Sequence, residues 1–220
     1  GMLANQAAVA LDNVNWAQGL ELKVQERTAE LHARVDELAI LNSVQAGLAS
    51  QLDVNAIYEL IGEQLRSMFD SQAISIISFD LRKGTRHYHY LLEQGQRHEI
   101  PDAAIPPLSQ FLIQNKRPIM INENFKERLA AIGIKSQTLP GTKPTKSLLR
   151  VPIMDGDEVR GVIGLDNIDR ENAFSNTDIR LLTTLASSMS VALEKARLYQ
   201  QAQEARAAAD AASAAKSAFL

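Results

Sequence analysis

Two strand-forming runs, Ser147–Met154 and Val159–Leu165, are separated by little more than Asp155-Gly156-Asp157. So short a link of turn residues closes a hairpin and makes the strands antiparallel. Pro152 marks a break or an edge in the first of them, because proline donates no ladder hydrogen bond. An earlier pair repeats the plan. Ala73–Asp80 reads as a strand with Ile74, Ile76 and Ser78 on one side, Lys83-Gly84 turns the chain, and Arg86–Leu92 alternates as its partner. Parallel strands need crossovers of a dozen or more residues. Two tight hairpins therefore argue against a doubly wound parallel sheet and for an antiparallel one.

Helical patterns surround these hairpins. Asp53 can cap a helix that aligns Ile57, Leu60, Ile61, Leu65 and Met68. Pro107 can open another, carrying Leu108, Phe111 and Leu112, and Pro118 closes it. Ile119–Asn122 is a short strand, and a helix fits near Phe125–Ala131 within an irregular stretch. Ser175 and Asp178 form a capping box for a closing helix striped by Ile179, Leu182, Leu185, Ala186, Met189 and Leu193. The fold class is α+β: a central antiparallel sheet of five or six strands with helices on its faces, preceded and followed by long helices of coiled-coil type.

The first long helix sets a heptad. Val24, Leu31 and Leu38 take position a, and Leu20, Leu41 and Leu48 take d, with Arg27, Arg34 and Gln45 interrupting. Glu21, Lys23, Glu26, Glu30 and Glu37 fill the flanks, which favours a parallel homodimer. Leu185, Met189 and Leu193 extend the expected seam beyond the domain. The alternative is one amphipathic helix packing on its own domain. Leu3–Asp12 also echoes Leu185–Glu194. The echo suggests an excised piece of a tandem array, although Ala/Leu helices resemble one another by chance. The expected divisions are residues 1–14 ending a preceding domain, 15–50 a signalling helix, 51–198 the globular domain and 199–220 an outgoing helix.

Composition removes several function classes. Lys and Arg total 23 against 26 Asp and Glu, a net charge of −3 that marks no nucleic-acid surface. No apolar run approaches the roughly 18 residues of a membrane span, and no signal peptide is evident, so a cytoplasmic setting is expected. The chain has no cysteine, which excludes disulfides, thiolate metal sites, cysteine nucleophiles and thioether-linked cofactors.

Four motifs then occur in order. Ser147-Leu148-Leu149-Arg150-Val151-Pro152-Ile153 resembles the S-L-L-x-V-P-L/I strand of GAF domains, and Gly161–Asn167 resembles their G-V-I-G-x-L/I-D/E strand. Phe174–Leu182 is similar to the F-S-x-x-D-x-x-L-L helix start, and Leu185–Tyr199 to the usual ending of the domain. Outside it, Val24–Leu31 resembles the V-x-E-R-T-A-E-L helices that join sensor domains in histidine kinases, and Ala215–Leu220 the run entering a phosphoacceptor helix. The resemblance implies a sensory GAF domain, itself no enzyme, that relays a small-ligand or conformational signal to a histidine kinase domain in cis.

The resemblance also implies a ligand pocket between one sheet face and the variable middle stretch. Phe111, Asn122, Ile132, Leu139, Ser147 and Leu149 would line it, with strand residues such as His87 and His89. The alternative for each is ordinary core packing. His87 and His89 share one side of a regular strand. Two histidines there suit a metal or a haem iron, or are polar decoration on an exposed face. Lys143, Lys146 and Arg150 form a basic cluster that can meet an anion or remain solvated surface. The Asn-Lys-Phe-Asp-Glu signature of cyclic-nucleotide GAF domains is missing, and without cysteine a covalent bilin is not expected. The ligand stays unnamed. Three readings stand: a ligand sensor, a ligand-free dimerisation spacer, and a non-covalent haem or metal sensor.

Overall fold

The structure is a computed structural model that describes residues 16, 19–28, 31, 39, 42–48, 53–135 and 144–218. Its contacts divide the chain into Gly1–Ser43 and Val44–Leu220. In the first unit residues 19–28 are helical, and Leu20, Val24 and Leu31 are exposed. Leu38 and Leu41 of the expected seam, and the 1–14 echo, lie outside the described residues.

In the second unit, α1 (Val54–Met68) starts where the Asp53 carboxylate accepts from the Asn55 N–H at 2.8 Å. Two antiparallel hairpins follow the expected plan: β1 (Ala73–Asp80) with β2 (Thr85–Glu93), and later β6 (Ser147–Asp155) with β7 (Glu158–Asn167). Between them lie β3 (Gln96–Arg97), β4 (Ala103–Ala104), α2 (Pro107–Asn115), β5 (Ile119–Ile121) and α3 (Phe125–Ala131). The sheet order is β3-β2-β1-β7-β6-β5, with β4 also on β2. Seven strands form it instead of five or six, because two-residue β3 and β4 leave almost no sequence period to read. Pro152 sits beyond the end of β5, where the outer side of β6 has no strand neighbour.

The closing helix α4 (Asn176–Ala218) opens on the expected capping box. Ser175 N–H and Oγ–H donate to the Asp178 carboxylate, and the Asp178 N–H donates back to Ser175 Oγ. No helix among the described residues is long and apolar enough to cross a membrane.

The two sheet faces are covered differently. Helices α1 and α4 bury Ile57, Ile61, Leu65, Leu182, Leu185 and Met189, all fully, with Leu149, Ile163 and Leu165 of the sheet. On the opposite face α2 carries Leu112 onto Ile77, Phe79, Val159 and Val162. Strand alternation separates these sets, except at a bulge in β2. Ile76 pairs with Tyr90 and Ile77 with Tyr88, which leaves His89 outside the ladder. Two consecutive residues, His89 and Tyr90, consequently both meet α1. Tyr90 packs on Gly62, donates to Glu63 Oε1 at 3.0 Å and lies under the Arg97 guanidinium, 3.6 Å from the ring centroid.

A Cβ at Gly62 would overlap the Tyr90 ring, so glycine is needed there for contact. Gly62→Ala should therefore destabilise the domain. Overpacking costs about 1–3 kcal/mol, offset by the ~1 kcal/mol that alanine gains in helix propensity. A urea titration should show a lowered midpoint with an unchanged slope.

Candidate functional site

The sheet face beneath α2 contains a row of unusual chemistry. Read across the strands it runs Leu91, Ser75, Gly164, Arg150 and Ile119. Arg150 Nη1 donates to the carbonyls of Leu149 and Leu165 at 3.1 and 3.0 Å, and Nη2 donates to Asp166 Oδ2 at 2.7 Å. Both side chains of this ion pair are more than four-fifths buried. Gly164 opens the space they occupy, since a Cβ there would stand 2.9 Å from Arg150 Nη1 and 2.5 Å from Ser75 Oγ. Ser75 is 7% exposed, and its hydroxyl makes no hydrogen bond among the described residues. Apolar clusters flank the row, one around Ile77, Val162 and Leu112 and the other around Ile121, Leu129, Ile134 and Leu148. A charged pair in such surroundings is costly to bury unless its remaining hydrogen-bonding capacity is met. Among the described residues, one edge of the guanidinium and one carboxylate oxygen make no hydrogen bond to protein.

A second polar site lies on the other face, beside α1. His89 stacks flat on Tyr58 with ring centroids 3.6 Å apart, and His87 meets His89 edge-on at 4.5 Å. The other contacts are His89 Nε2 to Ser78 Oγ, 2.8 Å, and His87 Nδ1 to Asp102 Oδ1, 2.7 Å. Arg97, His98 and Glu99 help line the adjoining groove of about 790 Å³. Burial, and then the neighbouring His87 charge, push the His89 pKa down to about 4. Burial alone pushes the Tyr58 hydroxyl up to about 12.

A family model described as the GAF domain matches residues 53–193. The chain belongs to the GAF family. The formate hydrogenlyase transcriptional activator FhlA of Escherichia coli strain K12 is 26% identical over 170 residues, 76% of this chain and 24% of the activator. The circadian input-output histidine kinase CikA of Thermosynechococcus vestitus is 22% identical over 191 residues, 82% of this chain and 26% of the kinase. The chain thus spans about a quarter of each of these relatives. The GAF domain of an Acinetobacter phosphoenolpyruvate-protein phosphotransferase superposes with a TM-score of 0.56 at 19% identity, over 73% of this chain and 94% of that one. The α+β antiparallel sheet is the GAF fold.

Within this GAF domain the expected pocket residues disperse. Phe111 and Ile132 pack beneath α2 and α3 against the Ile121–Leu148 cluster. Leu149 is fully buried on the α4 face, one residue out of phase with the row at Arg150. Ser147 and Asn122 form a latch. Ser147 Oγ–H is within reach of the Asn122 and Arg170 carbonyls, at 3.2 and 3.1 Å, and accepts from the Ala173 N–H, while the Asn122 amide bonds both ways to the Phe174 backbone. Both side chains are consumed holding residues 170–174. Leu139 lies outside the described residues. His87 and His89 do lie together, but on the opposite face from Phe111. Their hydrogen bonds to Asp102 and Ser78 occupy a nitrogen on each ring, and no group of three metal-ligating His, Cys, Asp or Glu exists among the described residues.

The expected dimer seam also needs correcting. Leu185 and Met189 are fully buried against their own sheet, and Leu48 is 3% exposed, so a second copy cannot reach them. Leu193 is half-buried beside Ile153 and Arg197. The strongly exposed apolar residues of α4 are Val191 and Leu198, at 72% and 52%. Sequence reading grouped Arg150 with Lys143 and Lys146, gave Asp166 no role within the Gly161–Asn167 strand, and passed over Ser75. The available signal was parity: all three occupy inward positions of paired strands.

Two outcomes follow. Ser147→Ala should cost about 1–2 kcal/mol by leaving buried backbone groups unpaired, measurable by urea denaturation. His89 titrates near 4 in the fold and near 6.5 when unfolded, so the unfolded chain takes up its proton first on acidification. Stability should be full above about pH 6.5 and decline towards pH 4, by on the order of 1 kcal/mol after allowing for solvent screening. His89→Gln should flatten that part of a melting-temperature profile.

Proposed function

We propose that this chain is the sensory input of a cytoplasmic signalling protein. It binds a small molecule at the Ser75–Arg150–Asp166 row and passes the change through α4. The observation that carries this reading is the largely buried ion pair on an otherwise apolar sheet face, beside a hydroxyl that makes no hydrogen bond among the described residues. Such a face offers a few oriented polar groups within apolar walls, the usual composition of a small-molecule site. Binding need only favour one helix packing over another to produce a signal.

The relay works through a parallel homodimer. Val191, Lys195, Leu198, Ala202, Ala205 and Ala209 follow the four-three spacing of a helical seam along α4. Val191 borders a groove of about 310 Å³ with Leu48, Ser188 and Ala192. Leu20, Val24 and Leu31 supply the corresponding seam of the first helix. The output is a histidine kinase domain in cis, in keeping with the V-Q-E-R-T-A-E-L and A-K-S-A-F-L runs and with the similarity to CikA. The similarity to FhlA supports a transcriptional activator as the other output class.

A ligand-free spacer is the second reading, favoured by the close packing of Phe111 and Ile132. A thermal-shift screen of the 220-residue chain separates the two. A ligand at one hundred times its Kd should add about 2.7 kcal/mol of stability, and that gain should be lost in Arg150→Gln. No saturable shift across a broad metabolite set favours the spacer. For the dimer, Val191→Asp with Leu198→Glu should convert the native mass from two copies to one while leaving the melting curve of the domain cooperative.

A further inference from the structure

The groove of about 310 Å³ beside α4 is lined by Ser188, Val191, Ala192 and Lys195, with Gln45 and Leu48 as a further wall. Counted from Ser188, the four α4 residues stand at i, i+3, i+4 and i+7. That set is the hole into which one side chain of a facing helix inserts in a coiled coil. The wall comes from residues 44–48, a helical segment that precedes α1. Leu48 is buried, and Gln45 Nε2 donates to Ser188 Oγ at 3.4 Å, which ties the segment to α4. The groove is a socket between two helical segments of one chain.

The surrounding surface says what fills it. With Val191 and Leu198 at d, Ser188 and Lys195 fall at a and Ala192 at e. In two parallel helices held in register, a d side chain enters the hole made by the facing a, d, e and next a residues. For Val191 those are Ser188, Val191, Ala192 and Lys195, the four α4 residues of the groove. Knob and hole thus belong to one surface, as a two-fold contact between identical chains requires. Val191 is strongly exposed, and so is Leu198 one heptad on, so both knobs stand clear of their own domain. Leu198 has a matching hole in Lys195, Tyr199 and Ala202, all exposed. A small molecule would not repeat along the helix at heptad spacing; a second helix does. Lys195 at an a position fixes register and strand number at some cost in stability.

We propose that the groove receives the partner's Val191 in a parallel, in-register pair of chains, where one knob touches both the segment entering the domain and the helix leaving it. This inference rests on the homodimer reading above and gives it a specific contact. Incoming and outgoing helices are clamped at one point without the sheet between them.

Disulfide crosslinking tests it cleanly, because the chain has no cysteine of its own. Val191→Cys and Leu198→Cys are each oxidised with copper phenanthroline and resolved on a non-reducing gel, with Gln200→Cys, on the opposite side of α4, as the control. In register, like d positions stand within the roughly 4.4–6.8 Å between Cα atoms that a disulfide spans. Both seam variants should crosslink nearly completely while Gln200→Cys stays uncrosslinked. Gln45→Trp narrows the socket at its wall and leaves every a and d residue of α4 intact. It should weaken dimerisation by about tenfold in sedimentation, with the melting temperature held. If the chain is dimeric by native mass but Val191→Cys crosslinks no better than Gln200→Cys, or Gln45→Trp dimerises as tightly as the unaltered chain, the socket is overturned and the homodimer reading stands. Crosslinking found only between Val191→Cys and Leu198→Cys chains in a mixture marks an antiparallel pair and overturns the socket and the parallel relay together. A chain that stays monomeric at every concentration removes both as well.

Discussion

The pairing of β6 with β7 decides what each side of this domain can do. Because side chains alternate with period two, one register sends Leu149, Val151, Ile153, Ile163 and Leu165 under α4 and leaves Leu148, Arg150, Val162, Gly164 and Asp166 on the other side. A one-residue slip would drive a guanidinium and a carboxylate into the fully buried helix face. The ion pair thus acts as a register pin as well as a polar centre. The turn at Asp155–Glu158 and the fully buried residues on the α4 side fix the same register from different directions.

That arrangement joins the two faces through a single strand. Arg150 faces the candidate ligand row, while Leu149 and Val151, its immediate neighbours, lie beneath α4. Further along, Ser190 of α4 donates to the Met154 carbonyl, and a bulge at Arg160 brings its side chain into a groove with Ile153, Glu194 and Arg197. A shift of β6 at Arg150 has contacts to carry it into the helix that leaves the domain. From Arg197 to Ala211 every side chain of that helix is exposed.

Much of the fold was legible because its cues are local. The Asp155-Gly156-Asp157 turn, the Lys83-Gly84 turn, the Asp53 cap and the Ser175–Asp178 box act within a few residues, and each appears in the structure. The candidate site was harder to read because it is assembled across strands. Ser75, Gly164 and Arg150 are far apart in sequence and become neighbours only through register. Asn122 and Ser147 were misplaced for a related reason: a buried polar residue looks the same in sequence whether it awaits a ligand or ties down a loop. Leu185 and Met189 have the spacing of a seam, yet one apolar stripe serves a sheet as well as a second helix. The bulge at His89 broke the period on which strand faces were assigned, so Tyr90 came to rest in the core.

Coupling between the two sides of β6 is the central claim, and amide hydrogen–deuterium exchange on Arg150→Gln against the unaltered chain tests it most directly. The predicted result is faster exchange along β6 and β7 together with altered protection in α4 around Ser190–Arg197, on the far side of the sheet from the substitution. Changes confined to β6, β7 and the segment near Asp166, with α4 identical in both proteins, would contradict it.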